Sequence, residues 1–210
     1  MSECKQLKSL FFDLGKVIVD FDLSSIVRGL SGQGVFTPEL FHEFMTNSEA
    51  GRDYMEGRIS SETFYSKVVG HFKISISYSG FYDLWNGIFT PNPGMDALIR
   101  KISRTYPDIR LILVSDTNEQ HFEFIRKNYP VLDECFDHYV LSYRIGKLKP
   151  SKEIYSAAIK LAGCLPEKIL YTDDRLDLID ASRQFGINSV QFTGCGQLTE
   201  TLREHGLFNV

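Results

Sequence analysis

The sequence has 210 residues, of which 43% are hydrophobic and 24% charged, an ordinary globular balance with enough length for one sizeable core and a small insertion. A net charge of −4 argues against nucleic acid or an anionic membrane as main partner, while leaving room for a local phosphate site. The polar start MSECKQLKS, the lack of any apolar stretch near ~20 residues, and four cysteines (Cys4, Cys135, Cys164, Cys195) without a close-set pair give three expectations: a cytoplasmic protein with reduced thiols, no membrane span and no zinc site.

In chain order, the first apolar run covers residues 7–12 (LKSLFF). Residues 23–89 read as mostly helical, with helices expected over 40–45, 51–55, 61–71 and 78–87. The stretch Ser60-Ser61-Glu62-Thr63 offers an N-cap before the apolar spacing Phe64, Val68, Val69, Phe72. The stretch Thr90-Pro91-Asn92-Pro93-Gly94 reads as a loop and a return hinge. Further apolar runs follow at 109–114 (IRLILV), 138–142 (HYVLS), 169–172 (ILYT) and 189–192 (SVQF), separated by helical spacing over 95–106, 120–128, 151–162 and 177–185. Such alternation predicts an α/β fold, a Rossmann-like parallel sheet with helices on both faces. A gap of nearly 100 residues between the first two core strands is too long for a simple crossover. Residues 1–20 and 91–210 are therefore expected to form the core, and residues 21–90 an inserted helical cap.

Ligands of open α/β sheets bind beyond the carboxyl ends of the strands, so the residues after each run matter. They are Asp13-Leu14-Gly15-Lys16, then Ser115-Asp116-Thr117-Asn118, then a loop ending in Lys149-Pro150, then Asp173-Asp174. Taken singly, each has an ordinary structural reading. Asp13 suits a turn, Ser115 a helix cap, Asp173-Asp174 a turn and cap, and Lys149 an exposed loop. Together they bring carboxylates, a hydroxyl and a lysine to one sheet edge in a fixed order.

That order resembles the haloacid dehalogenase-like hydrolase superfamily over essentially the whole chain. The motifs are LFFDLGKVIVDFD, LILVSDTN, GKLKPSKEIY and ILYTDDRLDLIDAS, and YMEGRIS and LWNGIFTPNPGM resemble its cap signatures. The first motif is similar to that of small bacterial sugar-phosphate phosphatases with D-L-G-N-V. The resemblance implies that Asp13 is the nucleophile, forming an aspartyl phosphate. It implies that Mg²⁺ is held by Asp13, the Gly15 carbonyl, Asp174 and the neighbouring Asp173. Ser115 would bind phosphoryl oxygens, and Lys149 would neutralise charge on nucleophile and phosphate. These assignments suit phosphoryl transfer, which needs positioning and charge neutralisation, and Mg²⁺, which prefers hard oxygen ligands.

Two positions depart from the family pattern. Gly15 stands where most phosphatases of the superfamily carry an acid/base Asp, whose loss typically removes ~10²–10⁴-fold in rate. Good leaving groups such as anomeric sugar phosphates would suffer least. Lys16 replaces the usual Gly or Asn, and either helps bind phosphate, blocks its site or is a solvated loop residue. Asp116 adds negative charge beside the substrate. In the cap, Trp85 and Tyr54 are expected to pack internally, with Arg52 and Glu56 as further candidates to face the substrate. The five histidines are expected to be structural.

The expected activity is a Mg²⁺-dependent phosphatase for a small phosphorylated metabolite such as a sugar phosphate, acting as monomer or homodimer. The rivals are a phosphomutase, a 2-haloacid dehalogenase and a non-catalytic member that binds a phosphorylated ligand. Gly15 counts against the mutase, and the Asp173-Asp174 pair against the dehalogenase.

Overall fold

The computed structural model describes residues 6–30 and 37–208. Among them, strands β1 (Ser9–Phe12), β4 (Arg110–Ser115), β5 (His138–Leu141), β6 (Ile169–Asp173) and β7 (Asn188–Gln191) form one parallel sheet in the order β5-β4-β1-β6-β7. Short β2 (Val19–Phe21) and β3 (Phe89–Pro91) pair separately and antiparallel. The expected α/β core is thus present, with strand ends shifted by one or two residues. The first run starts at Ser9 rather than residue 7, and the second and fourth extend to Ser115 and Asp173.

Alternation along the strands explains why both sheet faces are covered. Leu10, Phe12, Leu111, Leu113 and Leu170 pack on one face with Met95, Ile99, Phe122, Leu198 and Leu202 from its helices. Phe11, Ile112, Val114, Ile169 and Tyr171 pack on the other with Ile154, Tyr155, Ala158 and Ile179. Successive side chains of a strand point to opposite faces, so a strand buried on both reads as an unbroken apolar run.

Between β2 and β3 the described chain is helical: Ser24–Gly29, Pro38–Asn47, Glu49–Met55, Ser61–Phe72 and Tyr78–Asn86. Within the expected capping stretch it is Ser60 that caps the helix, its side chain accepting from the Thr63 amide at 3.2 Å. These helices share their own apolar cluster. Tyr54 stacks on Phe64 with ring centroids 4.1 Å apart, and Trp85 meets Phe41 edge-on at 5.0 Å. Tyr54 and Trp85 are therefore packing residues, as the sequence suggested.

One expectation is corrected. Thr90 and Pro91 are not loop residues but lie in β3, in register with Asp20 and Val19. The chain leaves and re-enters the core side by side, so an extended exit segment gains a backbone partner across the hinge. The helices Val131–Cys135, Ser142–Ile145 and Cys195–Glu204 were not anticipated, and Ser24–Gly29 falls in the stretch read as mostly helical without bounds of its own. The first two, like Ser24–Gly29, are too short to show a 3.6-residue period. Among the described residues no helix is long and apolar enough to cross a membrane. Cys135, Cys164 and Cys195 carry free thiols, and Cys4 lies outside the described residues.

Candidate active site

β1 is central, and the chain moves outward from it first through β4 and β5, then through β6 and β7. The direction reverses at β1, which opens a crevice beyond its carboxyl end. Asp13 follows β1 directly, and its amide continues the pairing by donating to the Thr172 carbonyl at 3.0 Å. Ser115 ends β4 and Asp173 ends β6, with Asp174 next in the chain. Lys149 comes from the loop between the helices Ser142–Ile145 and Lys152–Ala162, and its bond to Pro150 is cis.

Lys149 is the centre of the arrangement. Its side chain is 2% exposed, and its ammonium donates to Asp13 Oδ1 and Asp173 Oδ2, each at 2.7 Å. Tyr171 Oη at 3.2 Å and the Val114 carbonyl at 3.3 Å complete its surroundings. Burial works against the ammonium, but the charges of Asp13 and Asp173 outweigh it and hold Lys149 protonated well above the usual lysine range. Asp13 feels the opposite balance. Desolvation raises its pKa to about 7, assisted by Asp173 and opposed by Lys149. Asp174 is also raised, first by burial and then by Asp173.

Ligand oxygens of Asp13, Asp173 and Asp174 lie within 4.8 Å of one another. Three hard oxygen donors at that spacing suit a divalent cation such as Mg²⁺. Asp173 is the most committed of the three. Its Oδ2 accepts from Lys149 and from the Tyr171 hydroxyl, and its Oδ1 accepts from the Arg175 amide at 2.9 Å. Asp13 and Asp174 are the freer pair.

The residues that sequence reasoning left open have definite places. Asp116 Oδ1 accepts from the Lys149 backbone amide at 2.9 Å, so it fixes the loop that carries the lysine. Lys16 adopts φ +60°, the left-handed region that Gly and Asn occupy most readily. Its ammonium bonds to the Asp20 carboxylate and the Phe21 carbonyl, and lies 4.4 Å from the Phe21 ring centroid. Of the three readings open for Lys16, this geometry fits a loop residue satisfied by acceptors in its own turn. Ser115 is not a helix cap, since Asn118 caps Glu119–Asn128 by accepting from the His121 amide at 3.0 Å. Asp177 pairs with Arg175 on the surface. In the cap, Glu56 and Arg58 form an ion pair at 2.6 Å.

The sequence reading missed Tyr171, whose hydroxyl joins Asp173 to Lys149. It also missed the contacts between the helical segment and the sheet domain. Ser142 Oγ accepts the Thr117 amide at 2.9 Å and lies 2.7 Å from the Met55 carbonyl. Gly57, with φ +68°, passes so close to the Tyr143 carbonyl that a Cβ would sit 2.2 Å from its oxygen. A cavity of about 210 Å³ lies between the two parts and reaches Gly15, Ser115 and Asp116.

Known proteins share this fold. Among curated proteins the chain is similar to a D-ribitol-5-phosphate phosphatase of Bacteroides thetaiotaomicron, 24% identical over 88% of this chain and 91% of the relative. Among solved structures it resembles a family enzyme from the same organism, with a TM-score of 0.82 at 20% identity over 94% of this chain and 99% of the other. The wild-type form of that enzyme in complex with magnesium and inorganic phosphate gives 0.78 at 21% identity, covering 90% and 96%. The sequence matches the haloacid dehalogenase-like hydrolase family over residues 7–186, a span that holds Asp13, Ser115, Lys149, Asp173 and Asp174, and the chain belongs to that family.

Proposed function

We propose that the protein is a Mg²⁺-dependent phosphatase that hydrolyses a small phosphorylated metabolite through an aspartyl phosphate on Asp13. The observation that carries this reading is the placement of the buried Lys149 ammonium 2.7 Å from both Asp13 and Asp173, with the Asp174 carboxylate completing the acidic group. In step one an Asp13 oxygen attacks phosphorus, the new O–P bond forms and the ester O–P bond breaks. In step two water displaces phosphate from Asp13 and regenerates the carboxylate. Lys149 offsets charge that builds on the nucleophile and the phosphoryl oxygens, and Ser115 donates a hydrogen bond to them. Asp13, Asp174 and the Gly15 carbonyl would hold Mg²⁺, which when bound supplies neutralisation of phosphoryl charge. Asp173, whose oxygens already accept protein donors, orients Lys149 from beside that group.

Residues 21–90 act in this reading as a cap that excludes bulk water and selects the leaving group. Gly15 offers no proton donor, so the leaving alcohol takes its proton from water. The substrate of the D-ribitol-5-phosphate phosphatase supports a monoester of comparable size; a sugar or polyol body rests on that similarity alone.

The test is phosphate release from a broad panel of monoesters, with and without Mg²⁺, by wild type and Asp13→Asn. Metal-dependent release is expected from the wild type, and at least ~10³-fold less from the variant, whose amide keeps the shape but not the nucleophile. Release that survives in folded Asp13→Asn removes the nucleophile assignment. Halide release from a 2-haloacid without added metal restores the dehalogenase reading.

A further inference from the structure

We infer that the substrate is a phosphate monoester with an apolar body, of the size of a short alkyl chain or one ring, rather than a polyol or sugar phosphate. This rests on the phosphatase reading and refines it. The cavity that opens from Gly15, Ser115 and Asp116 is walled mainly by Leu14, Phe21, Met45, Met55, Trp85 and Ile88. Five of these six come from residues 21–90, two of them (Trp85 and Ile88) from the insertion's own buried cluster, and only Leu14 from the sheet domain, so the wall is set mainly by the insertion. Its volume, about 210 Å³, exceeds the roughly 150 Å³ that accommodates a benzene molecule in an apolar protein cavity.

The polar side chains that reach this space are largely engaged. His121 Nε2 is paired with the Trp85 carbonyl at 3.1 Å, and Thr117 Oγ1 with the Asn118 carbonyl at 3.4 Å. Asp116 holds the Lys149 amide. Ser115 belongs to the phosphoryl end, and His42 stands on the exposed rim. A polyol entering here would meet Asp116 Oδ2 and, at the rim, His42, and each further hydroxyl set against the apolar wall would give up water unpaired, which costs on the order of tenfold in affinity per orphaned group. Each methylene moved from water into the cavity gains about fourfold.

The test compares monoesters of primary alcohols with one chain length and similar leaving groups: n-pentyl phosphate against D-ribitol 5-phosphate, with benzyl phosphate as the ring-bearing probe and p-nitrophenyl phosphate as general control. The expected result is a kcat/KM for pentyl and benzyl phosphates at least tenfold above that for ribitol 5-phosphate, carried mostly by KM. Met45→Gln, on the half-buried cap wall, should narrow that gap. Equal or higher kcat/KM for ribitol 5-phosphate overturns the inference while leaving the phosphatase reading intact. Failure to release phosphate from any of the four, control included, refutes the phosphatase reading and the inference with it.

Discussion

His121 gives the most direct test of how the cap sits on the core. It projects from the helix Glu119–Asn128 of the core and is 8% exposed. Its ring lies 4.2 Å from Trp85 and 4.7 Å from Phe89, and Nε2 is 3.1 Å from the Trp85 carbonyl. Desolvation pushes its pKa down to about 3, and the hydrogen bond to Trp85 opposes this only in part. The unfolded value is about 6.5. Because the folded value is the lower one, protons favour the unfolded chain. The neutral imidazole's contribution is whole above about pH 6.5 and is lost as pH falls toward 3. The linkage slope then approaches about 1.4 kcal/mol per pH unit, so roughly 2 kcal/mol disappears between pH 7.5 and pH 5. Chemical denaturation of wild type and His121→Gln at both pH values isolates the effect, since acidic groups common to both proteins cancel. The wild type should lose about 2 kcal/mol more than the variant. Parallel losses would show that His121 is not buried neutral against Trp85, and would refute the described junction.

Two further outcomes follow from the first motif. A Cβ at Gly15 would lie 3.2 Å from Phe21 Cε1, and the Phe21 ring is itself braced by Phe89 and Lys16. Gly15→Asp alone should therefore raise turnover on a poor leaving group by less than ~10-fold, while Gly15→Asp with Phe21→Leu should reach a larger share of the ~10²–10⁴ that acid/base catalysis supplies. Steady-state kinetics decide this, and a full gain in the single variant would show that the ring yields freely. At Lys16 the left-handed backbone predicts that Lys16→Ala is less stable than Lys16→Gly by about 1 kcal/mol; the reverse order in thermal or chemical unfolding would contradict that conformation.

The main features of the core were legible because both chemistry and fold repeat one signal. Each apolar run ends at the same sheet edge, and the residue types found there, Asp13, Ser115 and Asp173, are costly to bury unless partners are supplied. Lys149 was legible from its order in the chain, but its burial was not, since that depends on where a loop after β5 folds back. Tyr171 was hidden because a tyrosine in a run such as ILYT reads as core. A signal was nonetheless available. Tyr171 and Asp173 are two apart on one strand, so their side chains share a face, and a buried phenol needs a polar partner. The hinge pairing of β2 with β3 left no local mark, because its partners lie on either side of the whole helical insertion.

Lys16, Gly15 and Phe21 make one argument about the departures from the family pattern. Lys16 takes a left-handed backbone and turns its ammonium back onto Asp20 and Phe21. Asn92, from the exit hinge, donates to the Lys16 carbonyl at 2.9 Å, and its own amide donates to the Ile18 carbonyl at 3.0 Å. The loop Asp13–Lys16 is thereby tied to the segment through which the chain leaves the helical insertion. Phe21 begins that insertion, and its ring edge would lie 3.2 Å from a Cβ at Gly15, so a side chain there would have to shift the ring. The same ring forms part of the cavity wall. Absence of a side chain at 15 and an apolar wall beside it are thus one packing solution. An Asp at 15 would need this wall to shift and would place a carboxylate beside it, and a glycine lets the apolar surface run up to Ser115 and Asp116.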